Sequence, residues 1–376
     1  MRNKSIKTVL VSGASIAGPS VAFWLARYGF DVTLIEIAPA VRSGGYPIDL
    51  RGPAVDVVER MELLEALKAA HVDTRRIIIF DPTGEKVRVV ETGGRNDEQA
   101  RDLEVRRTDL TSLLFDKTRN DVEYLFGESI VSLSSHEGGV DVAFRSGKQR
   151  KFDIVIGTDG LHSNTRGLAF GTEHSFERYI GRCYAVFSIP NYIDLSHEGL
   201  ISMNEEKMAA LYPAGQSDVL HALLAFKYDE HKVQELLTAK DRREIVAERF
   251  AGWGWEVPRM IEMMRESDDL FLDTMSQVRM PCWSTGRVVV AGDAAHAPTF
   301  RSGQGSSLAM IGAYILAGEI ASNEDRATAF ANYENIMRPF AEANQALAYK
   351  YDPSPEEKMS AYKAITLPDY SRLKVN

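Results

Sequence analysis

A chain of 376 residues exceeds the size at which one hydrophobic core usually stops growing, so two packed units are expected. A composition of 44% hydrophobic and 26% charged residues excludes a disordered or fibrous chain. The formal net charge of -9, with scattered basic pairs such as Arg106-Arg107 and Arg242-Arg243, speaks against nucleic acid, which requires clustered cations.

Taken in chain order, the first signal is Thr8-Val9-Leu10-Val11, an apolar run suited to a strand buried on both faces. It is far too short for a signal sequence or a membrane span, and no membrane partner is expected. Gly13-Ala14-Ser15-Ile16-Ala17-Gly18 follows, then a helix over Pro19 to Tyr28, then a strand Val32-Thr33-Leu34-Ile35 closed by Glu36. This βαβ unit is built to hold a dinucleotide. The turn at Gly13, Ser15, Ala17 and Gly18 brings backbone close to a pyrophosphate, and the helix N-terminus offers it unpaired N–H groups. Ser15 stands where a glycine is usual, and its hydroxyl can itself donate to a phosphate. Glu36 is placed to accept from ribose hydroxyls, which disfavours a 2′-phosphate and leaves FAD and NAD as the alternatives.

Phe152 to Gly160 is a second buried-strand pattern, ending in Asp159-Gly160 and opening through Leu161 to Arg166 into a helix. From about 172 to 280 the character changes. Arg182 to Ile189, Gly199 to Asn204, Met208 to Tyr212 and Val219 to Tyr228 read as short strands, followed by a helical stretch from Glu230 to Ala251. Then Gly286 to His296 delivers Asp293 to the end of a Val-rich strand, where ligands sit in open α/β sheets. Gly303-Gln304-Gly305 opens an apolar helix over Ser306 to Ile320, whose N-terminus is a second anion or carbonyl-oxygen site. After Asp325 a helical pattern runs on, with Pro339 expected to kink or interrupt it and Pro353-Ser354-Pro355 to end it. Cys183 and Cys282 lack any close spacing, so no disulfide framework is expected and a reducing cytoplasm is the expected location. The eight histidines make no HxH or HExxH pattern, so no metal is assigned; His162, His174, His221 and His296 read as core or surface residues.

The three motifs, Gly13 to Gly18, Asp159-Gly160 and Gly292-Asp293, occur in the order that resembles the class A flavoprotein aromatic hydroxylases, the para-hydroxybenzoate hydroxylase-like family. The resemblance spans roughly residues 7–350. It implies an α/β fold: a Rossmann-like FAD-binding domain (1–171 and 281–325, with a small substrate-side portion near 75–100), an inserted β-sheet substrate domain (172–280), and a C-terminal helix and tail (326–376). It also implies roles. Asp293 looks like the acid at the FAD ribityl chain, and the amides of Gly303, Gly305 and Ser306 like those at the flavin pyrimidine edge. Arg107 resembles the arginine reaching the ribityl or pyrophosphate region, and Asp159 and Gly160 the motif touching both FAD and nicotinamide nucleotide. Arg42 to Leu50 is most similar to the tetracycline-inactivating monooxygenases, which implies Gly45 and Asp49 near FAD and Arg42 near NADPH. The sequence departs from the family where a Pro-Pro pair is usual: Pro298 is followed by Thr299-Phe300-Arg301-Ser302.

The implied activity is hydroxylation of a small aromatic or polyketide-like compound, a tetracycline among the candidates, with O2 and NADPH or NADH, through a flavin C4a-hydroperoxide. A flavoprotein dehydrogenase or oxidase is the alternative. No catalytic base is identified, and the expected assembly is a monomer or homodimer. Met203, Met208, Leu211, Tyr212, Leu223 and Phe226 are a candidate group of cavity residues.

Overall fold

The structure is a computed structural model and describes residues 6–41, 46–91, 101–171, 176–213, 217–350 and 353–373. The chain opens with β1 (Thr8–Ser12), α1 (Ala17–Arg27) and β2 (Asp31–Glu36), with β1 and β2 parallel. Val9 and Val11 pack into the helical core, while Leu10 faces Val140, Val142 and Phe144 on the other side. Burial on both faces is why this strand is an unbroken apolar run. Next come β3 (Pro47–Leu50), α2 (Pro53–Arg60), α3 (Leu64–Ala69), β4 (Arg76–Phe80) and β5 (Lys86–Glu91). They lead to β6 (Leu103–Arg106), α4 (Arg107–Thr118) and β7 (Glu123–Phe126). A three-stranded sheet, β8 (Ile130–His136), β9 (Gly139–Phe144) and β10 (Gln149–Phe152), covers one face of the parallel sheet. β11 (Ile154–Gly157) then pairs with β1, and α5 (Asn164–Phe170) follows it.

The middle of the chain builds a second large sheet. β12 (Glu177–Pro190), β13 (Glu198–Met203), β14 (Lys207–Pro213) and β15 (Val219–Lys227) precede α6 (Val233–Thr238), α7 (Arg242–Arg249) and α8 (Val257–Glu266), and β16 (Phe271–Val278) returns. The sheet order is β16-β12-β15-β14-β13-β4-β5, so the early pair β4 and β5 completes its edge. The expected helix from Glu230 to Ala251 is instead a short 3-10 turn followed by two helices, broken at Ala239-Lys240-Asp241. The break lets α7 turn so that Val246 and Phe250 reach the same core as Val233 and Leu236.

β17 (Ser284–Thr285) and β18 (Val288–Val290) complete a six-stranded sheet ordered β17-β18-β11-β1-β2-β7, and α9 (Asp293–His296) follows. Helix α10 (Gly305–Ser322) is long and apolar enough to cross a membrane, but 83% of it is buried inside the protein. Helix α11 (Arg326–Leu347) continues through Pro339 without the interruption expected there. Pro339 lies on the exposed face, while Tyr333, Met337, Phe340 and Asn344 are buried. Packing of that face outweighs one missing hydrogen bond, whose carbonyl acceptor can be met by water. Pro355 starts rather than ends a helix: α12 (Pro355–Tyr362) has a capping box between Ser354 and Glu357. The tail then crosses to α10, where Tyr370 donates to Glu319 Oε1 at 2.6 Å and covers Gly318.

Candidate active site

The first glycine turn is packed from behind as well as opened in front. Gly13 has φ +106, and a Cβ there would lie 2.7 Å from Thr158 O; a Cβ at Gly18 would fall on Gly13 O. Both glycines are needed for strand, turn and helix to close on one another. Ser15 has a different role from a glycine: its Oγ accepts from Arg107 Nη2 at 2.6 Å. This pairing joins residues 92 apart, and no local pattern announces it. Helix α1 begins with no side-chain cap and no acidic residue in its first turn, so its leading amides and positive dipole end face the turn uncompensated. Glu36 is held at the end of β2, its Oε2 accepting from Ala14 N at 2.8 Å and its Oε1 from Ala38 N at 3.0 Å. Each oxygen keeps a lone pair for a further donor.

The second motif is braced internally. Asp159 accepts from Thr165 N at 2.9 Å and Thr165 Oγ1 at 2.8 Å, and also from Ser163 Oγ. Its carboxylate therefore shapes the turn, while Gly160, at φ +86, has open space where a Cβ would be. Arg166, fully buried, donates from Nη2 to Leu161 O at 2.7 Å and from Nη1 to Ala294 O at 3.0 Å, tying the second motif to the third.

The third motif closes against the first: a Cβ at Gly292 (φ +61) would sit 2.9 Å from Ala17 Cβ. Asp293 is accessible at the seam where Tyr46 and Tyr184 also lie, yet protein mass surrounds it. That surrounding raises its pKa, and the Arg107 charge pulls it down. A Cβ on Gly305 would lie 3.8 Å from Asp293 Oδ1, and one on Gly303 (φ +64) 3.6 Å from Asp49 Oδ2. Asp49 is paired with Arg51 at 2.7 Å, and Arg51 N donates to Ser307 Oγ at 3.1 Å. Helix α10, with Gly305 and Ser306 in its first turn, also starts without a side-chain cap or an acidic residue. Asp49, Arg107, Asp293, Gly303, Gly305 and Ser306 are thus brought into one neighbourhood with the first turn. Arg42 and Gly45 lie outside the described residues.

His296 points the other way. It is buried against Trp283, with ring centroids 4.7 Å apart, and neither ring nitrogen has a hydrogen-bond partner among the described residues. Burial lowers its pKa to about 4, Arg338 adding in the same direction and its own backbone opposing. The cavity beside it, lined by Trp283, Arg338 and Gln345 among others, measures about 190 Å3. Drug-sized ligands occupy roughly 300–1,000 Å3, so this is not where a dinucleotide sits.

Across the seam, one face of the seven-stranded sheet carries Tyr184, Leu223 and Met275, with Tyr46, Met208 and Tyr212 packed against them. Strand alternation divides the candidate cavity group. Met208, Tyr212 and Leu223 face the seam, and Met203 pairs with Met208 on that face; Leu211 and Phe226 face the helices α6 to α8 instead. Phe300, from the loop that replaces the usual Pro-Pro, stacks on Tyr184 (5.7 Å, 10°) and meets Tyr46 edge-on (6.4 Å, 90°). Arg301 turns away and donates to Lys350 O at 3.0 Å. Burial raises the pKa of Tyr46, Tyr184 and Tyr212, so all three phenols stay neutral.

Two uncapped helix N-termini, a carboxylate at the end of β2 and an open aspartate between them fit a flavin dinucleotide laid along the sheet ends. Comparison with known proteins agrees. A family profile described as FAD binding domain matches residues 7–348. A flavin-dependent monooxygenase of an unknown prokaryotic organism is 36% identical over 369 residues, covering 95% of this chain and 93% of its own. An uncharacterised protein of Mycobacterium tuberculosis is 40% identical over 375 residues, 97% of this chain and 100% of its own. Among solved structures, the tetracycline destructase Tet(55) aligns with a TM-score of 0.85 at 33% identity, covering 98% of this chain and 100% of that one. The chain is an FAD-dependent monooxygenase and belongs to the class A flavoprotein monooxygenase family.

Proposed function

We propose that this monooxygenase uses NADPH or NADH and O2 to hydroxylate a flat aromatic or polyketide-like small molecule, with tetracyclines among its candidate substrates. The observation that carries this reading is the aromatic wall of Tyr46, Tyr184 and Phe300, which lies within electrostatic reach of Asp293. Offset stacking on such a wall favours planar ligands. The similarity to a tetracycline destructase supports the same class.

Bound FAD would supply two-electron storage and the activation of O2. The chain's own residues supply binding, orientation and water exclusion. The leading amides of α1, with Ser15 and Arg107, hold the pyrophosphate; Glu36 accepts from the adenosine ribose. Asp293 accepts from the ribityl hydroxyls, and the amides from Gly303 to Ser306 present donors to the pyrimidine edge, where negative charge develops. Asp49 stands beside Gly303, and Asp159 shapes the turn that presents Gly160. The apolar sheet face excludes water, which protects a reactive oxygen species from wasteful breakdown.

The test is to load the protein with FAD and follow NADH and NADPH oxidation with a panel of tetracyclines and simple phenols. Oxidation accelerated by one compound, with one oxygen atom added to its mass, supports the reading. Accelerated oxidation that yields only hydrogen peroxide and unchanged compound replaces it with an oxidase.

A further inference from the structure

The turn after Gly160 carries a histidine to which the flavin site assigns no work. His162 reaches across the seam, and its Nε2 lies 3.1 Å from Oδ1 and 3.3 Å from Oδ2 of Asp273 on β16. Its Nδ1 is 3.7 Å from Oε2 of Glu177. The His162 side chain is 48% exposed, whereas that of Asp273 is 11% exposed. A carboxylate so buried is costly unless it is paired and hydrogen-bonded. Thr274 N supplies one bond to Oδ1 at 2.7 Å; Oδ2 has the longer His162 contact and a lone pair to spare.

Asp273 also faces the aromatic wall. It is the cross-strand partner of Tyr184, and directly opposed residues share a face with Cβ atoms about 4.5–5.5 Å apart. Met275, two residues along, belongs to the same apolar face, and Tyr184 carries the stacked Phe300. The Asp273 charge reaches both Tyr184 and Tyr46, adding to the effect of burial on each. A buried carboxylate therefore stands at the edge of an apolar aromatic surface, held from the solvent side by a histidine.

We propose that Asp273 is the general base for an ionisable phenolic or enolic hydroxyl of the substrate, and that His162 is the positioning residue that orients it. This rests on the aromatic-substrate reading above. As the ring takes up the electrophilic oxygen that the monooxygenase delivers, the hydroxyl O–H bond breaks and its electron pair moves into the ring. The proton forms a new O–H bond with Oδ2 of Asp273. When the ring loses its C–H proton to solvent and becomes aromatic again, Asp273 returns the first proton to that oxygen and is an anion once more. A base placed this way matters most in the transition state.

The test uses the FAD-loaded full chain and two flat probes, naphthol and its methyl ether, which differ in the proton Asp273 would accept. Equilibrium dialysis against wild type, D273N, D273E and H162F gives a hydroxyl preference for each as a ratio of dissociation constants. Wild type is expected to prefer naphthol about tenfold or more, as for a hydrogen bond to a charged acceptor. D273N is expected to abolish the preference while its affinity for the ether and its FAD content stay unchanged. D273E restores part of it, and H162F weakens it without abolishing it. Equal preference in wild type and D273N overturns the proposal and leaves the aromatic-substrate reading standing. Failure of both probes to bind wild type overturns both. If D273N does not retain FAD, H162F decides: a preference equal to wild type overturns the proposal.

Discussion

Replacing His296 by phenylalanine should make the protein markedly more resistant to acid. His296 is buried, its ring nitrogens have no partner among the described residues, and its pKa is lowered from 6.5 to about 4. Between those two values the unfolded chain takes up a proton that the folded chain refuses. The folded state is therefore at full stability above pH 6.5 and loses this contribution as the pH falls towards 4. A shift of this size corresponds to about 3 kcal/mol in total, since each pKa unit is about 1.4 kcal/mol. About 2 kcal/mol of it falls between pH 7 and pH 4.5. Phenylalanine has a ring of similar shape and gives up no hydrogen bond, so its own packing cost is the same at both pH values and cancels. Acid-sensitive carboxylates such as Glu128 and Asp153, whose pKa values are lowered, act in both proteins and cancel as well. The assay is urea unfolding of FAD-loaded wild type and His296→Phe at the two pH values, followed by tryptophan fluorescence. The variant should lose about 2 kcal/mol less than wild type on acidification. An equal loss in both proteins would falsify the assignment of a neutral, unpartnered His296.

Three further outcomes are expected. Gly18→Ala places a methyl group on Gly13 O and should cost about 3 kcal/mol of local packing, seen as purified protein that retains little flavin absorbance relative to protein absorbance. Arg107→Ala removes the charged partner of Ser15 and of Asp293, and should weaken FAD binding by about tenfold or more in an apoprotein titration. Gly318→Ala drives a methyl group into the Tyr370 ring; limited proteolysis should then cleave the tail near Tyr370 faster than in wild type, and stability should fall by about 2 kcal/mol, seen as a lower thermal midpoint.

The turn and strand ends proposed to hold the cofactor were legible because each part answers to a short-range constraint. A strand buried on both faces must be apolar throughout, and a turn pressed against Thr158 O must have glycine at position 13. An acid that ends β2 must follow the turn by the length of one helix and one strand. These constraints act within about thirty residues, so they leave their mark in spacing. The first turn, Glu36 and the Asp293 strand were therefore visible before any contact was known. Pro339 does not interrupt α11, because Tyr333, Met337 and Phe340 hold that helix from its buried side.

What the sequence by itself determined was the order of the three motifs and the βαβ geometry that holds the first of them, since hydrophobic period, glycine and capping chemistry are properties of neighbouring residues. Only the tertiary structure decided which side of the sheet each strand residue faces, because a period of two gives two faces and packing alone says which core each one joins. That is why Tyr212 and Leu223 lie on the aromatic wall while Leu211 and Phe226 are core. The same holds for Arg107 on Ser15, Phe300 on Tyr184 and His162 on Asp273, pairs 92, 116 and 111 residues apart that no spacing rule connects. Such contacts form when separately folded elements pack, and their chemistry belongs to the packed whole.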